Sequence, residues 1–176
     1  MVNKRTTSIV VLGMAGFFIL YLVLTGATKP VVGADQGMIA HDFTLPMWEK
    51  EGLKSLSDYE GDVIVLNLWA SWCPPCIKEM PDLMQLADNY KKEGLSVLTV
   101  NMHKFERTKN DAPAFMEEQG ITLPTFFDMD GEVAELYQVT ALPTTYIMDR
   151  DMVILHVITG EVNYEGLETL IKPLFK

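Results

Sequence analysis

The chain has 176 residues, 48% of them hydrophobic, which suffices for one domain with a sizeable core and an additional segment. Its formal net charge is −10, and after residue 30 there are 11 basic and 24 acidic side chains, so nucleic acid is a poor partner. With only two cysteines, and with His41, His103 and His156 scattered, the spacing of a structural zinc site is missing from the sequence and no metal is expected.

The first element in chain order is a predicted membrane anchor. Lys4 and Arg5 precede an uncharged, apolar run over residues 6–27, which as a helix could cross about 30 Å of hydrocarbon. Because basic residues stay on the cytoplasmic side, residues 1–27 are predicted to be a cytoplasmic N-terminus and an uncleaved transmembrane anchor. The following domain is then expected on the extracytoplasmic side of the cell membrane.

The anchor is followed by a predicted tether and by one globular domain. Residues 28–38, rich in glycine and containing a proline, are predicted to be the tether, and residues 39–176 the domain. Small residues at 25–27 and 32–34 weakly resemble cleavage sites, so a cleaved signal peptide remains the alternative to an anchor.

Periodicity predicts a mixed α/β sheet covered on both faces. Short apolar runs predict strands at residues 41–45, 53–56, 63–69, 96–101, 125–127, 144–148 and 152–158. Helical spacing predicts helices at 75–92 with a kink at Pro81, at 112–119 with Asp111 as cap, at 133–139 and at 164–174.

Both cysteines lie in the segment Trp72-Cys73-Pro74-Pro75-Cys76, between a buried strand and a helix. Residues three apart share a helix face, so these two side chains can form a reversible disulfide. Cys73, at the positive end of the helix, is the predicted attacking thiolate, and Cys76 is predicted to resolve the mixed disulfide. The two prolines suit a first helical turn and stiffen the loop.

Three other interpretations of the cysteine pair are weaker. A structural disulfide gains most by closing a long chain loop, and this one would close almost none. A zinc site lacks ligands, and two prolines would be unusual between buried cysteines of a core helix.

The segment Trp69-Ala70-Ser71-Trp72-Cys73-Pro74-Pro75-Cys76, with Glu79 and Pro81 after it and Leu142-Pro143-Thr144 later, resembles the thioredoxin superfamily. It is most similar to the membrane-anchored TlpA/ResA-like branch, over roughly residues 39–176. The resemblance implies a thioredoxin fold with an N-terminal β extension and a helix-containing insertion within about residues 104–127. It also implies a thiol-disulfide oxidoreductase that needs no cofactor beyond the redox-active Cys73–Cys76 disulfide.

The resemblance also assigns roles to single residues. Pro143 matches the family's cis-proline, which lies beside the cysteine pair. Glu79 matches an acidic residue of the family that could transfer protons to and from the two cysteines. Asn67 stands where thioredoxins proper carry a buried aspartate. Catalytic residues are therefore expected at Cys73, Cys76, Glu79 and Pro143, and client contacts at Trp72, Pro74, Pro75, Leu142 and Thr144.

The function expected from these features is reduction of disulfides in exported proteins such as apocytochrome c. A membrane thiol-reductant transporter of the CcdA type would re-reduce the pair, and the chain is expected to be monomeric. Two alternatives are a peroxiredoxin-like thiol peroxidase, whose usual Pro-xxx-Thr-xx pattern is missing from the sequence, and a copper-delivery protein of related fold. The Pro74-Pro75 dipeptide leaves the direction of electron flow open.

Overall fold

A computed structural model describes residues 13–17, 31–48 and 51–175. The chain divides into two units, Met1–Pro30 and Val31–Lys176. Residues 13–17 are helical, and the rest of the predicted anchor lies outside the described residues. Across the described part of the chain, no helix combines the length and hydropathy required to span a membrane.

The second unit begins with four short strands. Strands β1 (Val32–Gly33) and β2 (Ile39–Ala40) pair in parallel, and β3 (Thr44–Pro46) and β4 (Leu53–Ser55) pair antiparallel. The amide of Gly37 donates to the carbonyl of Ile154 at 2.8 Å. Residues 31–38, assigned to a tether from the sequence, are therefore attached to the domain by backbone hydrogen bonds.

Five longer strands form the central sheet. They are β5 (Val63–Trp69), β6 (Leu95–Asn101), β7 (Thr125–Phe127), β8 (Thr144–Met148) and β9 (Ile154–Thr159). The strand order is β7-β6-β5-β8-β9, in which β5 runs parallel to β6 and antiparallel to β8. Every residue of β5 is buried, as expected for a continuous apolar run with a neighbour on both edges.

Helices lie on both faces of this sheet, and each face carries a packed core. The helices are α1 (Pro74–Tyr90), α2 (Asp111–Gln119), α3 (Glu132–Leu136) and α4 (Tyr164–Ile171). Alternate β5 side chains point to opposite faces, so Val63 and Val65 pack with α1, α2 and α4. Ile64 and Leu66 pack on the other face with α3 and the N-terminal strands.

Several predicted boundaries differ from those of the structure, and three of the differences have a local explanation. Asp111 is the first residue of α2 rather than its cap, and its carboxylate accepts the amide hydrogen of Thr108 at 3.0 Å. The third helix ends at Leu136, because Gln138 adopts a left-handed φ of 48° that cannot continue a right-handed helix. The last strand begins at Ile154 rather than at 152, because Met152 also has a left-handed φ, of 61°.

We expect replacement of the buried Leu66 by alanine to lower the free energy of unfolding by about 2–5 kcal/mol, because it would open a cavity beneath β5. The matched variant Leu53→Ala, at an exposed position of β4, should change it by less than about 0.5 kcal/mol. Urea unfolding of the oxidised chain measures both, and equal losses would contradict this packing.

Candidate active site

The two cysteines form a disulfide where β5 leads into α1. Cys73 is the N-cap of the helix, Pro74 is its first residue, and the two Cα atoms are 5.3 Å apart. Cys73 is 4% exposed and Cys76 is fully buried, so only the first sulfur is reachable from outside. An attacking cysteine needs such access and a resolving one does not, and the assignment of the two roles stays a prediction.

The two prolines leave fewer backbone donors that could stabilise a Cys73 thiolate. Neither Pro74 nor Pro75 has an amide hydrogen, and the amide of Ile77 donates to the carbonyl of Cys73 at 3.1 Å. Among the first three helical residues, Cys76 is therefore the one with an amide hydrogen, and the Cys73 side chain makes no capping hydrogen bond in the disulfide form. Stabilisation of a thiolate here depends on this amide and on the helix dipole.

A carboxylate that the sequence analysis did not single out anchors the loop before Cys73. Glu106 accepts hydrogen bonds from the amide of Ser71 at 2.7 Å and from its hydroxyl at 2.6 Å. It also accepts the side-chain amide of Asn101 at 2.7 Å. Glu106 lies 35 positions beyond Ser71, so no local sequence pattern could indicate this contact.

An apolar groove of about 470 Å³ opens beside Cys73. The side chain of Trp72 is 42% exposed there, and its Nε1 donates to the carbonyl of Phe105 at 2.9 Å. The groove brings together four of the five predicted client-contact residues, which are Trp72, Pro74, Pro75 and Leu142.

The fifth predicted contact residue, Thr144, is not among the groove's lining residues. It is buried in β8, and its hydroxyl donates to the carbonyl of Ala141 at 2.9 Å, so it supports the loop instead. Trp69 is likewise a core residue, whose Nε1 donates to the hydroxyl of Thr99 at 3.3 Å.

The loop that contributes Leu142 to the groove contains the predicted cis-proline. The Leu142–Pro143 peptide bond is cis, as the resemblance implied. The carbonyl of Pro143 accepts the amide of Gly160 at 2.9 Å, which connects this loop to the end of β9. Leu142 and Cys73 line the same groove.

Glu79 is a buried carboxylate on α1, one turn after Cys76. It is 1% exposed, and its two oxygens accept hydrogen bonds from the side-chain amide of Asn67 at 2.7 Å and the backbone amide of Val162 at 3.0 Å. Burial disfavours the charged form more than these two donors stabilise it, and the pKa of Glu79 is raised to about 7. The group can therefore gain or lose a proton near neutrality.

Asn67 orients this carboxylate from the neighbouring strand. Its amide nitrogen donates both to Glu79 and to the hydroxyl of Thr145, the latter at 3.0 Å. Its carbonyl oxygen is buried and has no hydrogen-bond partner among the described residues. An aspartate here would place a second carboxylate against Glu79, whereas the neutral amide supplies a donor.

Comparison with known proteins identifies the family. The profile of the AhpC/TSA family matches residues 37–157. The chain is similar to the thiol-disulfide oxidoreductase ResA of Geobacillus kaustophilus, with 33% identity over 168 residues that cover 96% of this chain and 92% of the relative. It is also similar to the thioredoxin-like protein YneN of Bacillus subtilis, with 33% identity over 168 residues and 96% coverage of both chains.

Solved structures share the fold. A putative thiol:disulfide interchange protein DsbE from Chlorobium tepidum superposes with a TM-score of 0.74 at 34% identity, covering 82% of this chain and all of the other. StoA from Bacillus subtilis superposes with a TM-score of 0.68 at 26% identity, covering 77% and 99%. These matches confirm the predicted thioredoxin-like α/β fold.

We expect the free energy of unfolding of the oxidised chain to fall as the pH rises from about 4.5 to 7. The folded state holds the Glu79 proton up to a pKa of about 7, whereas an unburied carboxyl releases it near 4.5. The loss is at most on the order of 3 kcal/mol, and it levels off above pH 7. Urea unfolding across this range measures it.

The variant Glu79→Gln should lose this pH dependence because it has no proton to release. Glu117→Gln, at an exposed position on α2, is the matched control and should keep it. A Glu79→Gln variant with the same slope as the control would show that Glu79 is not the titrating group.

Proposed function

The chain belongs to the AhpC/TSA family of thioredoxin-like proteins, and from that premise we propose that it is a membrane-anchored reductase of disulfides in exported proteins. It is a thiol-disulfide oxidoreductase, the activity that the names of its ResA relatives state. The observation that carries the proposal is the Cys73–Cys76 pair at the edge of an apolar groove, with one sulfur slightly exposed and the other sealed.

The proposed reaction proceeds in two exchanges. In the reduced enzyme, the Cys73 thiolate attacks one sulfur of a client disulfide, which forms a mixed disulfide and releases the first client thiolate. The Cys76 thiol then loses its proton and attacks the Cys73 sulfur, which closes the enzyme disulfide and releases the second client thiolate. The client gains two electrons, and the enzyme pair loses two.

Glu79 is the group we assign to the proton of Cys76. Residues three apart lie on the same helix face, so the carboxylate and the buried sulfur share one side of α1. With a pKa of about 7, Glu79 is ionised in a large fraction of molecules at neutral pH and can accept a proton. Asn67 and the Val162 amide hold the carboxylate in place during the transfer.

The groove supplies the binding surface for an extended client segment. Trp72 and Phe105, which are joined by a hydrogen bond, line it together with Leu142 from the cis-proline loop. An apolar cleft with aromatic side chains binds peptide surface through burial rather than through a fixed set of polar contacts. Clients of varied sequence could therefore use the same site.

The cellular setting is part of the proposal. The apolar run over residues 6–27 supports an anchor that holds the domain on the extracytoplasmic side of the cell membrane. We propose exported proteins, such as apocytochrome c, as clients and a membrane thiol-reductant transporter of the CcdA type as electron donor. We further propose that the chain acts as a monomer.

We expect Cys73→Ala to abolish insulin disulfide reduction, because the attacking sulfur is gone. Cys76→Ala should instead accumulate the mixed disulfide, because no resolving sulfur remains, and the adduct should be visible on a non-reducing gel. The exposed Thr122→Ala is the control and should retain full turnover. Turnover by Cys73→Ala would contradict the assignment.

The direction of electron flow is tested by the reduction potential. We expect a value near the thioredoxin range of about −270 mV rather than the roughly −120 mV of a strong oxidant. Equilibration of the purified chain with dithiothreitol, followed by thiol trapping, measures it. A potential near −120 mV would make the protein an oxidant of its clients and contradict the proposed direction.

A further inference from the structure

A second cavity of about 380 Å³ adjoins the loop between β6 and α2. Three basic side chains from this loop line it, namely Lys104, Arg107 and Lys109. We call residues 104–109 the basic loop. In a chain with 11 basic and 24 acidic residues after position 30, three basic side chains within six positions stand out from a largely acidic surface.

Two of these cations are available to a partner. The ammonium of Lys104 donates to the backbone carbonyl of Asp130 at 2.8 Å, so its direction is fixed. The ion pairs found in the described part of the chain involve Lys54, Lys78 and Lys172, and they include neither Arg107 nor Lys109, both of which are exposed.

Two acidic groups near the loop accept hydrogen bonds from hydroxyl and amide groups. Both oxygens of Glu106 face Ser71, where they hold the turn before Cys73. The carboxylate of Asp111 accepts the hydroxyl and the amide of Thr108, which, with the nearby Arg107, lowers its pKa. Asp130 is the remaining acidic residue that lines the cavity, which three basic side chains also line.

The basic loop is continuous with the active-site groove through Phe105. This residue is 52% exposed, lines the groove beside Cys73, and accepts the indole hydrogen of Trp72 with its carbonyl. Its chain neighbours line the second cavity. A client segment that leaves the groove across Phe105 would therefore reach Arg107 within about two residues of extended chain.

We propose that the basic loop selects client disulfides that are flanked by acidic residues. This inference rests on the proposed function and names its substrate class. The net negative charge of the chain repels an acidic segment from most of the surface, whereas Arg107 and Lys109 attract it beside Cys73. Such a local contrast raises the rate of productive encounter and orients the client in the groove.

The test uses three peptides that contain the same disulfide and differ only in flanking pairs of Asp, Ser or Lys. The pre-reduced full-length protein, freed of reductant, is mixed with each peptide, and single-turnover rates are followed at low ionic strength. We expect the Asp-flanked peptide to react about 5- to 10-fold faster than the Lys-flanked one. Roughly 0.5 M salt should largely remove the difference, because it screens charges beyond a few ångströms.

The double variant Arg107→Glu/Lys109→Glu should lose or reverse this preference and keep the wild-type rate with the Ser-flanked peptide. The matched control is Lys91→Glu/Lys92→Glu, which makes the same change in net charge after the far end of α1, about 25 Å along the helix. The control should keep the preference. The rate with the Ser-flanked peptide also reports whether each variant is folded.

Equal rates with all three peptides would overturn the inference and leave thiol exchange intact. A loss of preference in the Lys91/Lys92 control as large as in the Arg107/Lys109 variant would also overturn it, because net charge rather than the basic loop would then be responsible. Failure of the wild-type protein to reduce any of the peptides would count against the proposed function itself.

Discussion

The burial of β5 is the constraint on which the active site depends. Its neighbours β6 and β8 occupy both edges, and all seven of its residues are buried, so its carboxyl end is held in one position. The chain then passes through the four residues 70–73 into α1, and Glu106 and Phe105 hold that turn by hydrogen bonds. The sulfurs therefore occupy the first turn of a helix whose start is fixed by the sheet rather than by the loop.

Burial also determines the chemistry around the pair. The same packing that seals Cys76 raises the pKa of Glu79, because a charged carboxylate loses its hydration there and regains only two hydrogen bonds. A residue that would be a permanent anion at the surface therefore has a pKa near neutrality, one helical turn from Cys76. The substitution of a neutral amide at Asn67 matters for the same reason, because a second carboxylate would compete for the same proton.

Elements that are defined by apolar runs could be predicted from the sequence alone. The bounds predicted for β5, β7 and β8 agree with the structure, since each is a buried strand whose apolar run predicts it. The cysteine pair could be predicted from its motif, and the cis Leu142–Pro143 bond from the resemblance to the thioredoxin superfamily. Three features could not be predicted from the sequence, because each depends on contacts between distant parts of the chain. They are the attachment of residues 31–38, the three hydrogen bonds of Glu106 and the inward orientation of Thr144.

The hydrogen bond between Trp72 and Phe105 has a consequence for how the protein can be observed. Trp72 is half in solvent at the rim of the groove, next to the sulfur that changes covalent partner, whereas Trp69 is enclosed in the core. Indole emission responds to polarity and to nearby sulfur, so Trp72 senses the rim of the groove, whereas Trp69 senses the core cluster that contains both cysteines. The intrinsic fluorescence of the chain can thus report both oxidation state and occupancy, without any label.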